Sequence, residues 1–236
     1  MNILRRILGR LQTASLRWLD PNSVHRVEAF SQEGEDLILK RIFNDKTHGF
    51  YVDVGAHHPA RLSNTYLFYR AGWRGINIDA MPGSLEPFFR QRPRDINLEL
   101  AIAARSGEER TYFEFEEPAY NTFDERLATS RTLPPISSRI LNRRTVRTWT
   151  LAEILQEHLP ENQQIDFLTV DVEGLDLEVI QSNAWERFRP TYVLVECYEV
   201  AMRHLQGEEI IMFLIAQGYE FFAKTVNTVI FKTIEK

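Results

Sequence analysis

From about residue 30 onward, the apolar positions of the chain follow two alternating patterns. Short runs rich in valine, isoleucine and leucine are separated by longer segments in which apolar residues recur every three or four positions. The runs are typical of buried strands, and the longer segments are typical of amphipathic helices. We predict strands at 50–54, 74–79, 96–103, 110–115, 165–171 and 191–196, and a closing hairpin of strands at 219–224 and 227–232.

The segments between these strands carry helix signals. Ser31 and Ser63 are expected to cap two helices, because a serine hydroxyl accepts a hydrogen bond from a free backbone N–H of the first turn. Pro82 is expected to open another helix, since proline fits a first turn. The predicted helices cover 33–43, 63–72, 82–90, 151–158, 175–181 and 208–217. Residues 116–143 are predicted to be irregular, and a loop of that length in a compact domain is usually functional or disordered.

The order of these elements predicts an α/β fold. The strands at 50–54, 165–171 and 191–196 lack polar alternation, so both faces of their sheet are expected to be covered by helices. That arrangement is a doubly wound, mainly parallel sheet. The last two strands follow each other without a helix, so one of them must run antiparallel. In such a sheet, ligands bind beyond the carboxyl ends of the strands, where the strand order reverses.

Composition limits the class of protein. The chain has 236 residues, 44% of them hydrophobic, which is enough for one sizeable α/β domain. Its net charge of −5 argues against a nucleic-acid partner, because phosphate contacts need a basic surface. Cys197 is the only cysteine, which excludes a disulfide framework and favours a cytoplasmic location. No apolar stretch reaches the ~18 residues of a spanning helix, and a signal-peptide pattern is missing.

Residues 1–25 are predicted to form a basic amphipathic arm ahead of the domain at 26–236. Apolar residues recur at helical spacing within residues 1–20. This segment contains four arginines and a single acidic residue, Asp20. Two interpretations stay open. The arm lies on an anionic membrane surface, which would make the protein peripheral to the membrane, or it packs on the domain or on a second subunit of a homo-oligomer.

Acids follow the predicted strands that would form the middle of the sheet. Asp53, Asp79, Asp171 with Glu173, and Glu196 stand at four carboxyl ends, where they are expected to face one crevice. Clustered carboxylates repel one another and favour a bound partner. Neither GxGxxG nor GxxxxGK[ST] occurs, so a phosphate-bearing ligand is disfavoured. Hydroxyls and a cation suit the crevice better, with Asp79 placed for a ribose diol. S-adenosylmethionine is a cationic nucleoside without phosphate.

Four stretches carry a family resemblance. YVDVGAHHPARLSNTY, GWRGINIDAMPG, RPRDINLELAIA and FLTVDVEGLDLEVI resemble, in order and spacing, the FkbM-type S-adenosylmethionine-dependent methyltransferases. The SQEGED stretch at 31–36 is similar to that family's lead-in, and the resemblance covers roughly residues 30–197. It implies a class I methyltransferase (Rossmann-like) fold with a seven-stranded sheet, S-adenosylmethionine as cofactor, and O-methylation. The implied acceptor is often a hydroxyl on a sugar, a glycan or a secondary metabolite.

The resemblance also implies site residues. Asp53, Gly55 and Ala56 would form the first cofactor loop, where Gly55 lets the backbone approach the methionine part of the cofactor. Asp79 would hold the ribose hydroxyls. The adenine would lie between Ala80 and Met81 on one side and Ala101 and Ile102 on the other. The motif Asp-Val-Glu-Gly falls on residues 171–174, at the floor between cofactor and acceptor.

Two adjacent histidines follow the first loop. A sugar hydroxyl is a very weak acid, so methyl transfer benefits from a base, and histidine has a pKa near the working pH. We expect His58, rather than His57, to be that base or to position the acceptor beside Asp171 and Glu173. Its place before Pro59 favours an extended backbone that would project the side chain away from the turn. The alternative is that a histidine only hydrogen-bonds the loop.

Three other functions remain open from the sequence. N-methylation would use the same cofactor. A metal-assisted reaction would draw ligands from Asp171, Glu173 and one of the histidines, His57 or His58, although we assign no metal. The chain would otherwise be a non-catalytic binding module, since a fold does not fix a function.

Overall fold

A computed structural model of the chain describes residues 21–197 and 207–234. Its strands are β1 Phe50–Val54, β2 Arg74–Asp79, β3 Ile96–Glu99, β4 Ala101–Ile102, β5 Glu109–Phe115, β6 Ile140–Trp149, β7 Phe167–Val170, β8 Tyr192–Glu196, β9 Tyr219–Lys224 and β10 Thr228–Thr233. Its α-helices are α1 Glu35–Ile42, α2 Tyr66–Ala71, α3 Glu86–Gln91, α4 Glu125–Arg131, α5 Leu151–His158, α6 Asp176–Gln181 and α7 Glu209–Ala216. Short 3₁₀ turns lie at Pro21–His25 and Pro118–Tyr120.

The main sheet has seven strands in the order β3-β2-β1-β7-β8-β10-β9. The first five in that order are parallel, and β10 runs antiparallel to both β8 and β9. The predicted doubly wound sheet with an antiparallel terminal hairpin is therefore confirmed. The chain order reverses between β1 and β7, which sets the switch point at the carboxyl end of β1.

The two faces of the sheet bury different cores. Val52 and Val54 of β1 face a large aliphatic core together with residues of α5, α6 and α7. Tyr51, between them in sequence, faces an aromatic core that includes Phe68, Trp73 and Phe167. Alternate side chains of a strand point to opposite faces, so an all-apolar strand needs cover on both.

Two predictions about the middle of the chain are wrong. The strand expected at 96–103 is split at Leu100, whose N–H donates to the carbonyl of Asp79, so β3 stays in the main sheet and β4 pairs with β6 elsewhere. Residues 116–143 are not irregular, because they contain α4 and the start of β6. Asp124 caps α4 by accepting hydrogen bonds from the N–H groups of Arg126 and Leu127.

The second sheet has the order β4-β6-β5. Its strands β5 and β6 belong to a segment that we call the insert, residues 109–149, and β4 lies ahead of that segment. Its β5 and β6 form an antiparallel pair over most of their length. Phe113, Phe115 and Ala128 are buried together and hold α4 against this pair. The insert thus has a small core of its own beside the main sheet.

The predicted helix starts are shifted by a few residues. The Ser31 hydroxyl does accept the N–H of Gly34 at 3.1 Å, but α1 begins at Glu35. Ser63 likewise accepts the N–H of Tyr66 at 3.1 Å, and α2 begins at Tyr66. Pro82 does not open a helix, since residues 82–85 form a turn and α3 begins at Glu86.

Residues 1–20, which carry most of the predicted basic arm, lie outside the described residues. Within the described part of the chain, every helix is too short or too polar to cross a membrane.

Candidate functional site

A cavity open to solvent lies at the carboxyl ends of β1, β2 and β7, where the strand order reverses. Its walls come from the loops after these three strands, from β4 and from the insert. The predicted site residues that line it are Gly55, His57, Asp79, Ala80, Met81, Ile102, Asp171 and Glu173. The cavity therefore lies at the crevice expected for the parallel sheet.

Gly55 joins two of these loops. It has a φ of +89°, a conformation that glycine adopts without strain. A Cβ atom at this position would meet the backbone of Asp171. The glycine is thus required by the neighbouring loop of the chain itself, and not only by an approaching ligand as the sequence suggested.

Asp79 holds the loops after β1 and β2 together. Its carboxylate accepts hydrogen bonds from the N–H of His57 at 2.8 Å, the N–H of Met81 at 2.8 Å and the hydroxyl of Ser84 at 3.0 Å. Burial raises the pKa of Asp79, and these bonds oppose that shift. An ionised carboxylate has about four lone-pair positions, so it can accept a further hydrogen bond from a ligand hydroxyl.

His57 faces the cavity with a defined pattern of hydrogen bonds. Its Nε2 lies 3.2 Å from a guanidinium nitrogen of Arg61, and the same nitrogen donates to Glu117 at 3.1 Å. A guanidinium can only donate, so Nε2 accepts and Nδ1 carries the proton. Burial lowers the pKa of His57, which keeps the ring neutral at neutral pH. In this arrangement His57 offers the cavity an N–H and not a free lone pair.

The structure places His57 at the cavity and His58, the residue preferred from the sequence, away from it. His58 does not line the cavity. Its Nδ1 accepts the N–H groups of Ala60 at 3.0 Å and Arg61 at 2.8 Å, so the ring folds back onto its own turn. Burial lowers the pKa of His58 as well. The structure assigns His58 the loop-bonding position that the sequence analysis kept as the alternative.

Three predicted cofactor residues also lie away from the cavity wall. Asp53 is buried beneath the first loop, where it accepts the hydroxyl of Thr65 at 2.7 Å, and burial raises its pKa to about 6. Ala56 packs into a small cluster with Leu85 and Phe88. Ala101 is buried in the second sheet. All three precede or follow a cavity residue, and the strand or turn directs their side chains elsewhere.

Three carboxyl groups meet beside the floor of the cavity, and Glu196, one of the three, does not itself line the cavity. Oxygens of Asp171, Glu173 and Glu196 lie within 4.8 Å of one another. Burial raises the pKa of Asp171 well above its ordinary value, and the neighbouring charge of Glu196 raises it further. Within the described residues, Oδ1 of Asp171 is buried without a hydrogen-bond partner.

These three acids are also the described residues most able to hold a divalent cation. Neither His57 nor His58 is part of the group, contrary to the ligand set considered from the sequence. Arg131 of the insert is ion-paired with Glu173, and this cation already balances one of the three charges. We therefore assign no metal to the group.

The insert supplies cavity residues that the sequence analysis missed. Tyr112, Pro118, Ala119, Asn121 and Phe123 line the cavity from this side. The insert is fastened to the floor by the Arg131–Glu173 ion pair and by the Thr122 hydroxyl, which donates to the carbonyl of Glu173 at 2.6 Å. The unusual length of the segment was its only sequence signal. Leu100, Gln32 and Leu62 were missed as well, although Gln32 lies in the quoted SQEGED stretch.

A buried cation stabilises the first loop from below. Arg92 is fully buried and pairs with Asp95 at 2.8 Å. It also donates to the hydroxyls of Tyr51 at 2.8 Å and Thr65 at 3.0 Å. Because Thr65 in turn donates to Asp53, this network connects α3 to the loop that carries both histidines.

Comparison with known proteins agrees with this geometry. Residues 53–221 match the FkbM methyltransferase domain. The chain belongs to the FkbM methyltransferase family. The match begins at Asp53 in β1 and ends at Phe221 in β9, so the FkbM region contains the whole insert and every cavity residue except Gln32. The chain is therefore a methyltransferase by family.

The chain is also similar to a solved structure. This is the crystal structure of a TehB-like SAM-dependent methyltransferase from Corynebacterium glutamicum, with a TM-score of 0.44 and 8% sequence identity, over 96% of this chain and 99% of that chain. No curated protein matches the chain.

Proposed function

We propose that this FkbM methyltransferase transfers the methyl group of S-adenosylmethionine to a hydroxyl of a sugar, a glycan or a secondary metabolite. The observation that carries the proposal is the chemistry of the cavity wall at the switch point. It offers carboxylates to hydroxyls and to positive charge, and it lacks the glycine-rich phosphate cradle of other nucleotide sites.

The residues present fit this cofactor. Asp79 has a lone pair left for the ribose diol. Met81, Leu100 and Ile102 give an apolar surface for the adenine. The carboxyl groups of Asp171 and Glu173 offer hydrogen-bond acceptors to the cationic amino-acid part. When bound, S-adenosylmethionine supplies a methyl group on a positively charged sulfur.

Asp171 is the group we assign to the acceptor proton. A sugar hydroxyl would lose its proton as its oxygen took up the methyl group, and the cofactor would leave as the neutral thioether. The proton passes to a carboxylate oxygen of Asp171. Its raised pKa makes this side chain a stronger base than an ordinary aspartate. His57, with Nδ1 protonated, donates to the cavity and does not compete for the proton.

The test has two stages on the full chain. Isothermal calorimetry should detect S-adenosylmethionine binding that Asp79→Asn weakens. Incubation with methyl-labelled S-adenosylmethionine and a glycan extract should then yield labelled ethers, which survive mild acid and base. Binding without transfer to any extract would favour the non-catalytic module, and label on amine nitrogen would favour N-methylation. A chain that binds no S-adenosylmethionine would overturn the proposal.

A further inference from the structure

Glu173 reaches the cavity from a strained turn. Its φ is +54°, a left-handed conformation that is uncommon for a residue with a side chain. Gly174, which follows it, has a φ of +104°. Strain of this kind persists in a fold only where the surrounding contacts over-determine the backbone. The contacts that hold this turn therefore bear on what Glu173 does.

The start of α4, in the insert, holds the backbone of this turn. The Thr122 hydroxyl donates to the carbonyl of Glu173 at 2.6 Å and accepts the N–H of Asp124 at 2.9 Å. Asp124 is the residue that caps α4. A Cβ atom on Gly174 would lie 3.4 Å from side-chain atoms of Asp124 and Leu127. The turn thus packs closely against the first turn of α4.

Arg131, the last residue of α4, holds the side chain of Glu173. One terminal nitrogen of its guanidinium is ion-paired with the Glu173 carboxylate, and the other donates to the carbonyl of Tyr120 at 2.8 Å. The guanidinium also lies 5.5 Å from the centre of the Tyr120 ring. The side chain of Arg131 is 5% exposed and that of Glu173 is 17% exposed. Because either partner alone would leave a poorly solvated charge, the pair has a defined geometry.

The guanidinium lies behind the cavity wall and not in it. Glu173 lines the cavity, whereas Arg131 does not, and none of the described lining residues is a lysine or an arginine. A carboxylate has about four lone-pair positions, so it can accept from several donors at once. Glu173 can therefore bind the Arg131 guanidinium on one side and the ammonium group of a ligand on the other.

We infer that Arg131 is a positioning residue for cofactor binding, which holds the Glu173 carboxylate in the direction in which it accepts the ammonium group of the amino-acid part. Arg131 does not touch the cofactor, and its effect passes through Glu173. This inference rests on the proposed function and deepens it, since it makes the binding of one part of S-adenosylmethionine depend on the insert.

A positioning role and a purely structural role differ in the part of the cofactor that they affect. A residue that only supports the fold would weaken the binding of the nucleoside and of the amino-acid part together. A residue that acts through Glu173 would spare the nucleoside, whose proposed contacts Asp79 and Met81 come from another loop. The probe 5′-methylthioadenosine separates the two roles, because it keeps the nucleoside and the sulfur and lacks the amino-acid part.

Calorimetry on the full chain compares this probe with S-adenosylhomocysteine. Arg131→Met removes the charge from a long side chain and should weaken S-adenosylhomocysteine about tenfold or more. Its affinity for 5′-methylthioadenosine should stay within about twofold of the wild type. Arg131→Lys keeps a charge without the planar fork and should recover part of the lost affinity. Arg126→Met, an exposed position of the same helix, is the matched control and should bind both ligands as the wild type does.

A double-variant cycle tests whether the effect of Arg131 passes through Glu173. Glu173→Gln removes the carboxylate that Arg131 holds and should by itself weaken S-adenosylhomocysteine. Adding Arg131→Met to Glu173→Gln should then cause little further loss, because two residues that act as one unit are not additive. A full additional loss in the double variant would show that Arg131 acts independently of Glu173, and would overturn the inference.

The outcomes separate this inference from the proposed function. A wild-type chain that binds neither S-adenosylmethionine nor S-adenosylhomocysteine would overturn the proposed function itself. If the wild type binds S-adenosylhomocysteine and Arg131→Met weakens both ligands equally, Arg131 has a purely structural role and only this inference fails. An unchanged affinity of Arg131→Met for S-adenosylhomocysteine would also overturn the inference alone.

Discussion

A Cβ atom on Gly55 would lie 1.7 Å from the carbonyl oxygen of Asp171. That carbonyl has little room to retreat, because the N–H of the same residue donates to the carbonyl of Val54 at 3.0 Å. In the Asp-Val-Glu-Gly loop, the backbone of Asp171 therefore occupies the space that a side chain at residue 55 of the first loop would need. Any side chain at residue 55 would push these two loops of the cavity apart.

We expect Gly55→Ala to destabilise the fold and not only the site. The left-handed backbone costs an alanine ~1–2 kcal/mol, and overpacking costs roughly 1–3 kcal/mol more. Gly72→Ala is the matched control, since Gly72 has a φ of +106° and open space around its Cβ position. Urea unfolding should show a larger loss for Gly55→Ala. Equal losses would mean that the contact with Asp171 is relieved cheaply.

Asp79→Asn should lower S-adenosylmethionine affinity by about tenfold or more, because a charge-assisted hydrogen bond contributes roughly 1.5–3 kcal/mol. The asparagine also has only one carboxamide oxygen to accept the N–H groups of His57 and Met81, which the carboxylate accepts with its two oxygens. Ser84→Ala removes one of the internal bonds to Asp79 without touching the cavity, and should change affinity far less. Calorimetry of both variants makes the comparison. Similar losses in the two would place Asp79 in a purely structural role.

Substitution of the two histidines should have different effects, one mainly on stability and the other mainly on activity. His58→Ala loses two bonds to backbone N–H groups, each worth a net ~0.5–1.5 kcal/mol, and should lower the unfolding midpoint while much of the turnover remains. His57→Ala should lower turnover about tenfold or more with a smaller effect on stability. Thermal melts and methyl-transfer rates measure both quantities. The reverse pattern would restore His58 to the site.

Stability should fall as the pH rises through the pKa values of the buried acids. Burial raises the pKa of both Asp53 and Asp176 to about 6, so between about pH 4 and pH 6 the folded state holds protons that the unfolded chain has lost. This contribution is fully present below that window and is lost as the pH rises through it. His57, whose pKa is lowered by burial, acts in the opposite direction.

Asp53→Asn removes one of the carboxyl groups that bind a proton in the folded state but not in the unfolded chain. The variant should lose less stability than the wild type between pH 4.5 and pH 7.5, as measured by chemical unfolding at both values. Asp45→Asn, which changes an exposed acid, should follow the wild type. If all three proteins showed the same pH dependence, the Asp53 carboxyl would be ionised in the fold at both values.

The main sheet could be predicted from the sequence because its strands are buried on both faces. Strands such as β1 and β8 are apolar at almost every position, and this signal does not depend on distant contacts. The insert could not be predicted in the same way. Most of β6 is exposed, and its Asn-Arg-Arg-Thr run has little apolar pattern, so its pairing with β5 is fixed by tertiary contacts. At Leu100 the chain changes sheets although no glycine or proline interrupts residues 96–103.

Site residues could be predicted from the sequence where a place at the end of a strand is enough to direct the side chain into the cavity. Asp79 and Asp171 were predicted in this way, because ligands bind beyond the carboxyl ends of parallel strands. His57 and His58 required knowledge of a turn, since His57 has a φ of +52°, and this conformation directs the two rings to different places. Asp53 shows the same limit, because it precedes the strand end by one residue and points beneath the loop instead of into the cavity.

The insert leaves and rejoins the domain at neighbouring points, since Ala101 and Ile102 pair with Thr148 and Trp149. It also has its own core, and it reaches the floor of the cavity chiefly through Arg131 and Thr122. Because β5 and β6 make no strand pairing with the seven-stranded sheet, changes within the insert can reshape one wall of the cavity without altering the hydrogen bonds of that sheet.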